Sequence, residues 1–395
     1  MPRYLVRQSL LSLAKLFVFV TIMFFFIQIM MPGDFVDQFS LISDAEDRER
    51  IRAQLGLDLP IGQRYLRWLR QIATLDLGTS FTGQPIVDIL REVVPATLLV
   101  FLSGTALAFA IGLWLGKITA WWGSGFISNV TTLGGLTLFT SFPPWLAWLI
   151  SYAFIRGRTF VVMGEVGGLS RVSLHRLLTT ELWKDAEIPP SAIAFRMILT
   201  LAASAITFWI INLLLQRLRR RIPGLFLLLL IVASTVASWY ALHMEALAFD
   251  IAKHSWTTIV TYTLLSFGET MVIMQSSMTE VLKEPYINTA QAKGLRPSTV
   301  REKHAARNAM LPVLSRLVIS LPYLITGVVI IESSLGWPGM GTSMWNALYW
   351  QNMPVVMNTL LIVGLLSLVA RLLLDVLTAY LDPRIRYDQP QASAA

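Results

Sequence analysis

The sequence predicts an all-α, polytopic membrane protein with about eight transmembrane helices. Of its 395 residues, 55% are hydrophobic and only 14% are charged, whereas soluble domains carry about 45–50% apolar and about 25% charged residues. The mean hydropathy is +0.60. Because lipid accommodates apolar side chains that water does not, this composition favours a chain that crosses the bilayer repeatedly.

Eight segments reach the roughly 20 mostly apolar residues that a spanning helix needs. They are residues 10–31, 95–116, 129–155, 192–215, 223–247, 256–275, 313–331 and 354–379. The first is followed by Met31-Pro32-Gly33-Asp34 and not by a small-residue cleavage site. We therefore interpret it as an uncleaved anchor.

The positions of Lys and Arg predict the orientation. They collect in the N-terminal tail, in Arg217–Arg221, in the loop 276–312 and after the last span. An even number of spans puts all four segments on one side, and the basic excess identifies that side as the cytoplasm. The acid-rich segment 32–94 is then external. The net charge of +8 is accordingly a topology signal and not a nucleic-acid footprint.

The motifs that usually carry catalysis are missing from the sequence. It contains no cysteine, which excludes disulfides, thiol nucleophiles and iron–sulfur clusters. It has no phosphate-binding loop and no dinucleotide fingerprint, and its four histidines lack the spacing of metal ligands. We expect no catalytic residue, no metal site and no cofactor in this chain, and thus no enzyme activity of its own.

One polar segment between two spans, residues 278–312, has a helix–turn–helix pattern. Pro285 suits a first helical turn, Lys293 complements the end of the helix dipole, and Gly294 suits the left-handed position that follows a helix. Thr299-Val300-Arg301-Glu302 has the spacing of a capping box for a second helix, which Pro312 is expected to end.

The pattern alone leaves two interpretations of this segment open. The small residues Ala290 and Ala292 suit close docking of another protein, whereas a basic loop that only fixes topology would also fit.

The segment resembles the cytoplasmic loop of permease subunits of binding-protein-dependent ABC importers, of the dipeptide/oligopeptide/nickel type. The matching positions are Tyr286, Thr289-Ala290, Ala292-Lys293-Gly294, His304, Arg307-Asn308-Ala309 and Leu311-Pro312. Further blocks are similar in the same order, among them Leu55-Gly56-Leu57-Asp58, Leu75-Asp76-Leu77-Gly78-Thr79-Ser80, Ser141-Phe142-Pro143-Pro144-Trp145, Glu332 with Trp337-Pro338-Gly339-Met340-Gly341, and Leu381-Asp382-Pro383-Arg384.

The resemblance implies a type I ABC importer permease bundle in a bacterial or archaeal inner membrane, with both termini cytoplasmic. It implies an ATP-driven importer, with peptides as the expected solute and an external solute-binding protein that delivers them. Cytoplasmic ATPase subunits would hold ATP and magnesium, and a second homologous permease would complete a heterodimer. The implied ATPase-coupling residues are Pro285, Tyr286, Thr289, Ala290, Ala292, Lys293, Gly294 and Pro297.

The chain departs from the family pattern over about 170–250, where a short external connection would suffice. Two additional apolar spans flank Arg217–Arg221 there, and we interpret them as an inserted hairpin, either a peripheral lipid-facing element or one whose arginines contact lipid headgroups or the ATPase. The expected divisions are therefore the tail and first span 1–31, the external region 32–94, spans two and three 95–165, the insertion 166–255, the permease core 256–387 and the tail 388–395.

Two acidic residues are candidates for the solute pathway. Glu269 lies in the middle of a predicted span, where ionisable side chains usually face a cavity or a partner, although a buried, hydrogen-bonded glutamate is the alternative. Glu332 belongs to the external turn. A secondary transporter or channel that works without an ATPase remains the rival function; such proteins commonly carry several intramembrane acids or broken-helix repeats.

Overall fold

The prediction of an all-α membrane protein is confirmed. The computed structural model describes residues 2–30, 36–37, 45–123, 125–154, 180–184, 186, 188–217 and 224–381, and these contain helices but no β-strand. The helices are α1 (Pro2–Met30), α2 (Ala45–Leu55), α3 (Ile61–Ala73), α4 (Ile86–Trp122), α5 (Phe126–Thr140), α6 (Pro143–Phe154), α7 (Thr180–Lys184), α8 (Pro190–Arg217), α9 (Gly224–Ala241), α10 (Glu245–Val281), α11 (Pro285–Ala292), α12 (Pro297–Thr299), α13 (Ala306–Leu335), α14 (Met340–Tyr349) and α15 (Met353–Leu381).

Each predicted span overlaps at least one helix, although 129–155 and 223–247 also include residues that are not helical. Among the described residues, five helices are long and apolar enough to cross a bilayer, namely α1, α4, α8, α10 and α15. The apolar part of α9, Phe226–Ala241, is shorter, so the predicted span 223–247 was too long and ran into the start of α10. The predicted span 313–331 lies within α13.

The predicted continuous span 129–155 is wrong, because α5 and α6 meet at an angle of 109°. Ser141 has an extended backbone, with φ −67° and ψ 147°. Pro143 and Pro144 follow, and they supply no backbone N–H, while Phe142 precedes a proline and is biased away from helical geometry. The two prolines therefore interrupt the helix, and the segment forms the two helices α5 and α6.

The centre of the molecule is the close pair formed by α4 and α10. A Cβ atom at Gly112 would lie 2.8 Å from the carbonyl oxygen of Phe267, and one at Gly116 would lie 2.6 Å from that of Met271. Gly104 likewise abuts the ring of Tyr262. Glycine is thus required where the two backbones approach, as in many membrane helix pairs. The order of these contacts shows that α4 and α10 run in the same direction.

Despite the bend, α5 and α6 together take the chain from the Trp122 end of the α4–α10 pair toward its opposite end. At the Trp122 end of α4, the Ser128 hydroxyl donates to the carbonyl oxygen of Thr119 at 3.0 Å. Beyond the bend, Leu146 and Ile150 join the hydrophobic cluster around the Ile86 end of α4. The break therefore does not alter the side on which the chain continues.

The pair α8 and α9 is an antiparallel hairpin that starts and finishes at the same end. The Trp239 indole N–H donates to the Thr200 hydroxyl at 3.1 Å, and the hydroxyls of Ser204 and Ser234 lie 3.2 Å apart. Ile193, near the start of α8, and Met244, just before α10, belong to one cluster. Such an excursion preserves the direction of everything downstream, as the sequence predicted.

The first and last helices pack against one another in opposite directions. A Cβ at Gly364 would overlap Leu16, while Phe24 and Met357 share a cluster with Trp68 of α3. Because Ile362 and Val363 of α15 also pack against the cluster that contains Ile86 of α4, the start of α1 and the end of α15 lie toward the Trp122 end of the molecule. The described parts next to the basic segments, namely the start of α1, the end of α8, the loop 276–312 and the end of α15, therefore lie toward one end.

Several predicted features lie outside the described residues. These are Met31-Pro32-Gly33-Asp34, most of the loop 156–191, residues 218–221 of the arginine-rich turn, and the C-terminal residues from Asp382 onward.

Candidate functional site

The short helix α11 has the beginning and end that the sequence predicted. Pro285 occupies its first position, with Glu284 as the N-cap residue. Gly294 has φ +70°, and its N–H donates to the Gln291 carbonyl at 2.9 Å while that of Leu295 reaches the Ala290 carbonyl at 3.4 Å. This pair of bonds is a Schellman motif, which accounts for the glycine at this position.

Only one narrow face of this segment is covered by the rest of the chain. From Lys283 to Ser298, Ile287 and Ala290 are buried and every other residue is exposed. The predicted coupling residues Pro285, Tyr286, Thr289, Ala292, Lys293, Gly294 and Pro297 all lie on the exposed surface. Ala290 does not, since 7% of it is accessible, so the expectation that its small side chain meets a partner directly is wrong in this structure.

Ile287 and Ala290 fix α11 to the three long central helices. Their cluster includes Ala120 of α4, Met274 and Met278 of α10, and Ala309 of α13. Ile287 and Met278 have no accessible surface. We call this assembly, with Ala305, Ala306, Val300 and Val313, the platform. A force applied to α11 is transmitted to all three helices because the interior packs as tightly as a crystal.

The second helix of the segment begins earlier than the capping box implied. Arg296 is its N-cap residue and Pro297 is its first residue, so Thr299 lies inside the helix and caps nothing. A π-helical turn, Val300–Ala305, joins α12 to α13 without a break. The expected end at Pro312 is also wrong, since α13 continues to Leu335. One missing hydrogen bond is tolerated where neighbouring helices support the backbone.

Glu302, assigned by the sequence to the capping box, instead pairs with α4. Its carboxylate lies 2.7 Å from Lys117 Nζ and 3.0 Å from Arg301 Nε. Burial alone would raise the pKa of Glu302, but the hydrogen bonds and charges of Lys117 and Arg301 outweigh it and hold the pKa below its usual range. A second tie joins α11 to α13, because the Asn308 amide donates to the Tyr286 hydroxyl at 2.8 Å.

Glu332 lies at the opposite end of the molecule and is fully buried. Its Oε2 accepts the Gly341 N–H at 2.8 Å. Within the described residues, Oε1 has no hydrogen-bond partner. A side chain at Gly339 would overlap this carboxyl group.

The turn that Glu332 supports is itself bonded to α4. The Met340 N–H donates to the Thr97 hydroxyl at 2.7 Å, and the Trp337 indole donates to the Ala96 carbonyl at 3.1 Å. In this conformation Glu332 therefore organises the turn 336–341. Its predicted role in lining the solute pathway stays a prediction.

Glu269 is half-buried on α10, one residue after Gly268, whose Cα abuts the backbone of Gly135 in α5. It also makes interactions of its own. The structure does not bring it near Glu332, which belongs to the Ile86 end of the molecule, whereas Phe267 and Met271 pack against Ala108 in the middle of α4.

Sequence reasoning missed the contacts that connect these regions, which are made by Thr97, Lys117, Ile287 and Asn308. Ile287 is the single large aliphatic residue of α11, and this could have marked its buried face. No local signal pairs Lys117 with Glu302, because 185 positions separate them. In the part of the chain that the structure describes, no group of three or more His, Asp or Glu residues is placed to hold a metal ion.

Comparison with known proteins identifies the family. The binding-protein-dependent transport system inner membrane component family matches residues 112–387. The oligopeptide transport system permease protein AppB of Bacillus subtilis is 28% identical over 399 residues, covering 98% of this chain and 100% of AppB. A protein of Escherichia coli named for D,D-dipeptide transport, DdpB, is 27% identical, with 96% and 97% covered. A protein of Brucella ovis named as a peptide permease is 28% identical, with 98% and 99% covered.

The family match covers more than half of the chain and includes α11, the platform and Glu332. The bundle of apolar helices agrees with it. The chain therefore belongs to the family of binding-protein-dependent transport system inner membrane components and is a multi-pass membrane permease subunit.

Proposed function

We propose that this chain forms the membrane pathway for peptides in an ATP-driven importer, and that an ATPase subunit docks on the exposed surface of α11. The observation that carries the proposal is the burial pattern of residues 283–298, in which two side chains anchor the segment and the remainder is exposed. A loop that only fixes topology would not need a capped helix anchored on three long helices.

The same arrangement gives the orientation that we propose. The platform, the start of α1, the end of α8 and the end of α15 lie at one end, and the positive-inside rule would assign that end to the cytoplasm. The segment 45–85, the turn 336–341 and α14 then face outward, where a solute-binding protein would dock. A second homologous permease would complete the pathway as a heterodimer, and ATP with magnesium would be bound by the ATPase subunits.

Peptides are the proposed solute because the relatives named above are peptide permeases. We propose that Glu269 faces the pathway and attracts the cationic amino terminus of a peptide. Uptake of short peptides by proteoliposomes, measured for the wild type and Glu269→Gln, tests this. A lower rate for peptides with a free amino terminus is expected, and an unchanged rate and substrate profile would remove Glu269 from the pathway.

The docking site is tested by a matched pair of glycine substitutions. Gly294 and Gly83 both have positive φ, +70° and +79°, and a Cβ atom added at either one would meet no other atom within 4 Å. Gly294→Arg places a bulky cation on the proposed docking surface, whereas Gly83→Arg places the same group, at the same backbone cost, at the opposite end.

We expect Gly294→Arg to lose co-purification of the ATPase and ATP-dependent uptake, while Gly83→Arg retains co-purification. Both variants should remain in the membrane at wild-type levels, because both positions open onto free space. Normal coupled transport by Gly294→Arg would overturn the docking assignment. Uptake by the wild type without any ATPase would instead favour the secondary transporter or channel.

A further inference from the structure

Two separate sets of polar contacts join α4 to the continuous helical run Pro297–Leu335 and the turn that follows it, one near each membrane face. The inner clamp consists of Lys117 on α4 and Glu302 on the π-helical turn, with their charged atoms 2.7 Å apart. The outer clamp consists of Thr97 on α4, whose hydroxyl accepts the Met340 N–H at 2.7 Å, and Glu332 near the end of α13, whose carboxylate accepts the N–H of the next residue, Gly341, at 2.8 Å.

The spacing of the clamps corresponds to the thickness of a membrane. Thr97 and Lys117 are 20 positions apart on one uninterrupted helix, which amounts to about 30 Å at 1.5 Å per residue. That is roughly the thickness of the hydrocarbon core of a bilayer. The same two helices are therefore tied to one another on both sides of the membrane, on the outer side through the turn 336–341.

Each clamp also belongs to a functional end of the protein. Glu302 lies two residues after Val300 of the platform, and Ala120 of the platform lies three residues after Lys117. Glu332 fixes the turn 336–341, which faces outward in the proposed orientation. Both glutamates have defined partners, since Lys117 and Arg301 hold Glu302 and the buried Glu332 accepts the Gly341 N–H.

We propose that the two clamps make α4 and the run Pro297–Leu335 one rigid body, which carries movement between α11 and the outer turn 336–341. Thr97, Lys117, Glu302 and Glu332 are then positioning residues for coupled transport. This inference rests on the proposed function, because it assumes an ATPase on α11 and a binding protein on the outer face. Proximity alone would not support such a coupling. Here each clamp is a defined contact that one substitution can break and a second substitution, or a conservative one, can restore or keep.

The inner clamp is tested by exchanging its charges. The chain is reconstituted with its partner permease and ATPase in liposomes, and the ATPase rate is measured with and without the solute-loaded binding protein. Lys117→Glu and Glu302→Lys should each reduce the stimulated-to-basal ratio at least five-fold, since each puts like charges together. The double variant should restore the ratio to within two-fold of the wild type.

The outer clamp is tested in the same assay with two variants of one residue. Glu332→Gln keeps an oxygen that accepts the Gly341 N–H and should retain most of the stimulation. Glu332→Ala removes it and should lose at least five-fold. The matched control is Arg91→Ala, which breaks an exposed ion pair with Asp88 at 3.5 Å within α4 itself and should leave the ratio unchanged.

A cross-link distinguishes a rigid body from a contact that opens during transport. The chain has no cysteine, so Lys117→Cys with Glu302→Cys can be bridged by a short, cleavable bis-thiol reagent. A permanently closed inner clamp predicts that the bridged complex keeps at least half of its uptake rate.

Three results would overturn the inference in complexes that assemble normally. They are a charge-exchanged double variant that stays uncoupled, a Glu332→Gln variant as impaired as Glu332→Ala, and a cross-link that blocks uptake until it is cleaved. If the wild-type complex shows no stimulation by any loaded binding protein, the proposed function itself fails, and this outcome is distinguishable from the other three.

Discussion

The central pair α4–α10 and the hairpin α8–α9 are both apolar enough to enter a membrane but pack in different ways. In the most apolar window of α10, 61% of the residues are buried, against 6% in that of α8. Glycines bring the backbones of α4 and α10 into contact, whereas α8 and α9 expose large side chains such as Leu199, Trp209 and Leu229.

This difference shows that hydropathy identifies membrane-spanning helices but does not indicate which of them lie at the centre of the bundle. Lipid tails are as apolar as leucine, so burial within the membrane gains little from hydrophobicity and depends on close packing. Glycines on adjoining faces are therefore better evidence of a central helix than hydropathy. In the hairpin, α8 packs against α4 and joins the core cluster through Ile193, Ala194 and Met197 near its start, while most of its apolar residues remain outside the core.

The largest expected effect comes from adding one methyl group at the centre. Gly268→Ala would drive a Cβ into the carbonyl group of Gly135, which is backbone and cannot rotate away. We expect a loss of about 3 kcal/mol or more in stability, at the upper end of the usual overpacking cost of about 1–3 kcal/mol. Thermal unfolding of the purified chain in detergent, followed by size-exclusion chromatography, would measure it.

The matched control is the neighbouring glycine Gly134, which has no atom within 4 Å of an added Cβ. Gly134→Ala should change stability by less than about 1 kcal/mol, since alanine favours helix. Equal losses in the two variants would show that α5 and α10 have room for a methyl group between them.

An effect of intermediate size is expected from replacing isoleucine by alanine, and it should differ between the central pair and the hairpin. Ile251 on α10 has no exposed surface, whereas Ile206 on α8 is 57% exposed. Ile251→Ala leaves a cavity and should cost about 2–5 kcal/mol. Ile206→Ala exchanges side-chain contact for lipid contact and should cost less than about 1 kcal/mol. If Ile206→Ala proves as destabilising, a second protein surface covers the hairpin.

The smallest effect is expected within the hairpin. Trp239→Phe removes the indole donor to the Thr200 hydroxyl, and interhelical hydrogen bonds in membranes contribute on average about 0.6 kcal/mol. A double-mutant cycle with Thr200→Ala, measured by thermal unfolding, gives the free energy of the interaction between the two side chains. A coupling energy near zero would mean that side-chain packing alone joins α8 to α9.

Local chemistry explains which elements could be predicted from the sequence. Pro285 and Gly294 define α11 because proline suits a first turn and glycine tolerates a positive φ. The apolar runs predicted every spanning segment. The proline pair at 143–144 was visible too, but periodicity gave no reason to expect a bend of 109° instead of a continuous span.

The errors at the site share one physical origin. Thr299 and Glu302 have the spacing of a capping box, but Lys117 and Arg301 offer the Glu302 carboxylate stronger, charged partners. Ala290 was expected to meet a partner because it is small. Its small size instead lets α11 approach the platform. The sequence of so short a helix does not show which of its faces is covered by the rest of the chain.

The sequence by itself determined that this protein spans a membrane and which loop carries a capped helix, since these depend on composition and on contacts within a few residues. Only the tertiary structure decided that α4 and α10 form the centre, that α8 and α9 lie at the periphery, and that Lys117 meets Glu302 and Thr97 meets Met340. Those contacts join residues 185 and 243 positions apart in the sequence, and the packing of helices in three dimensions brings them together.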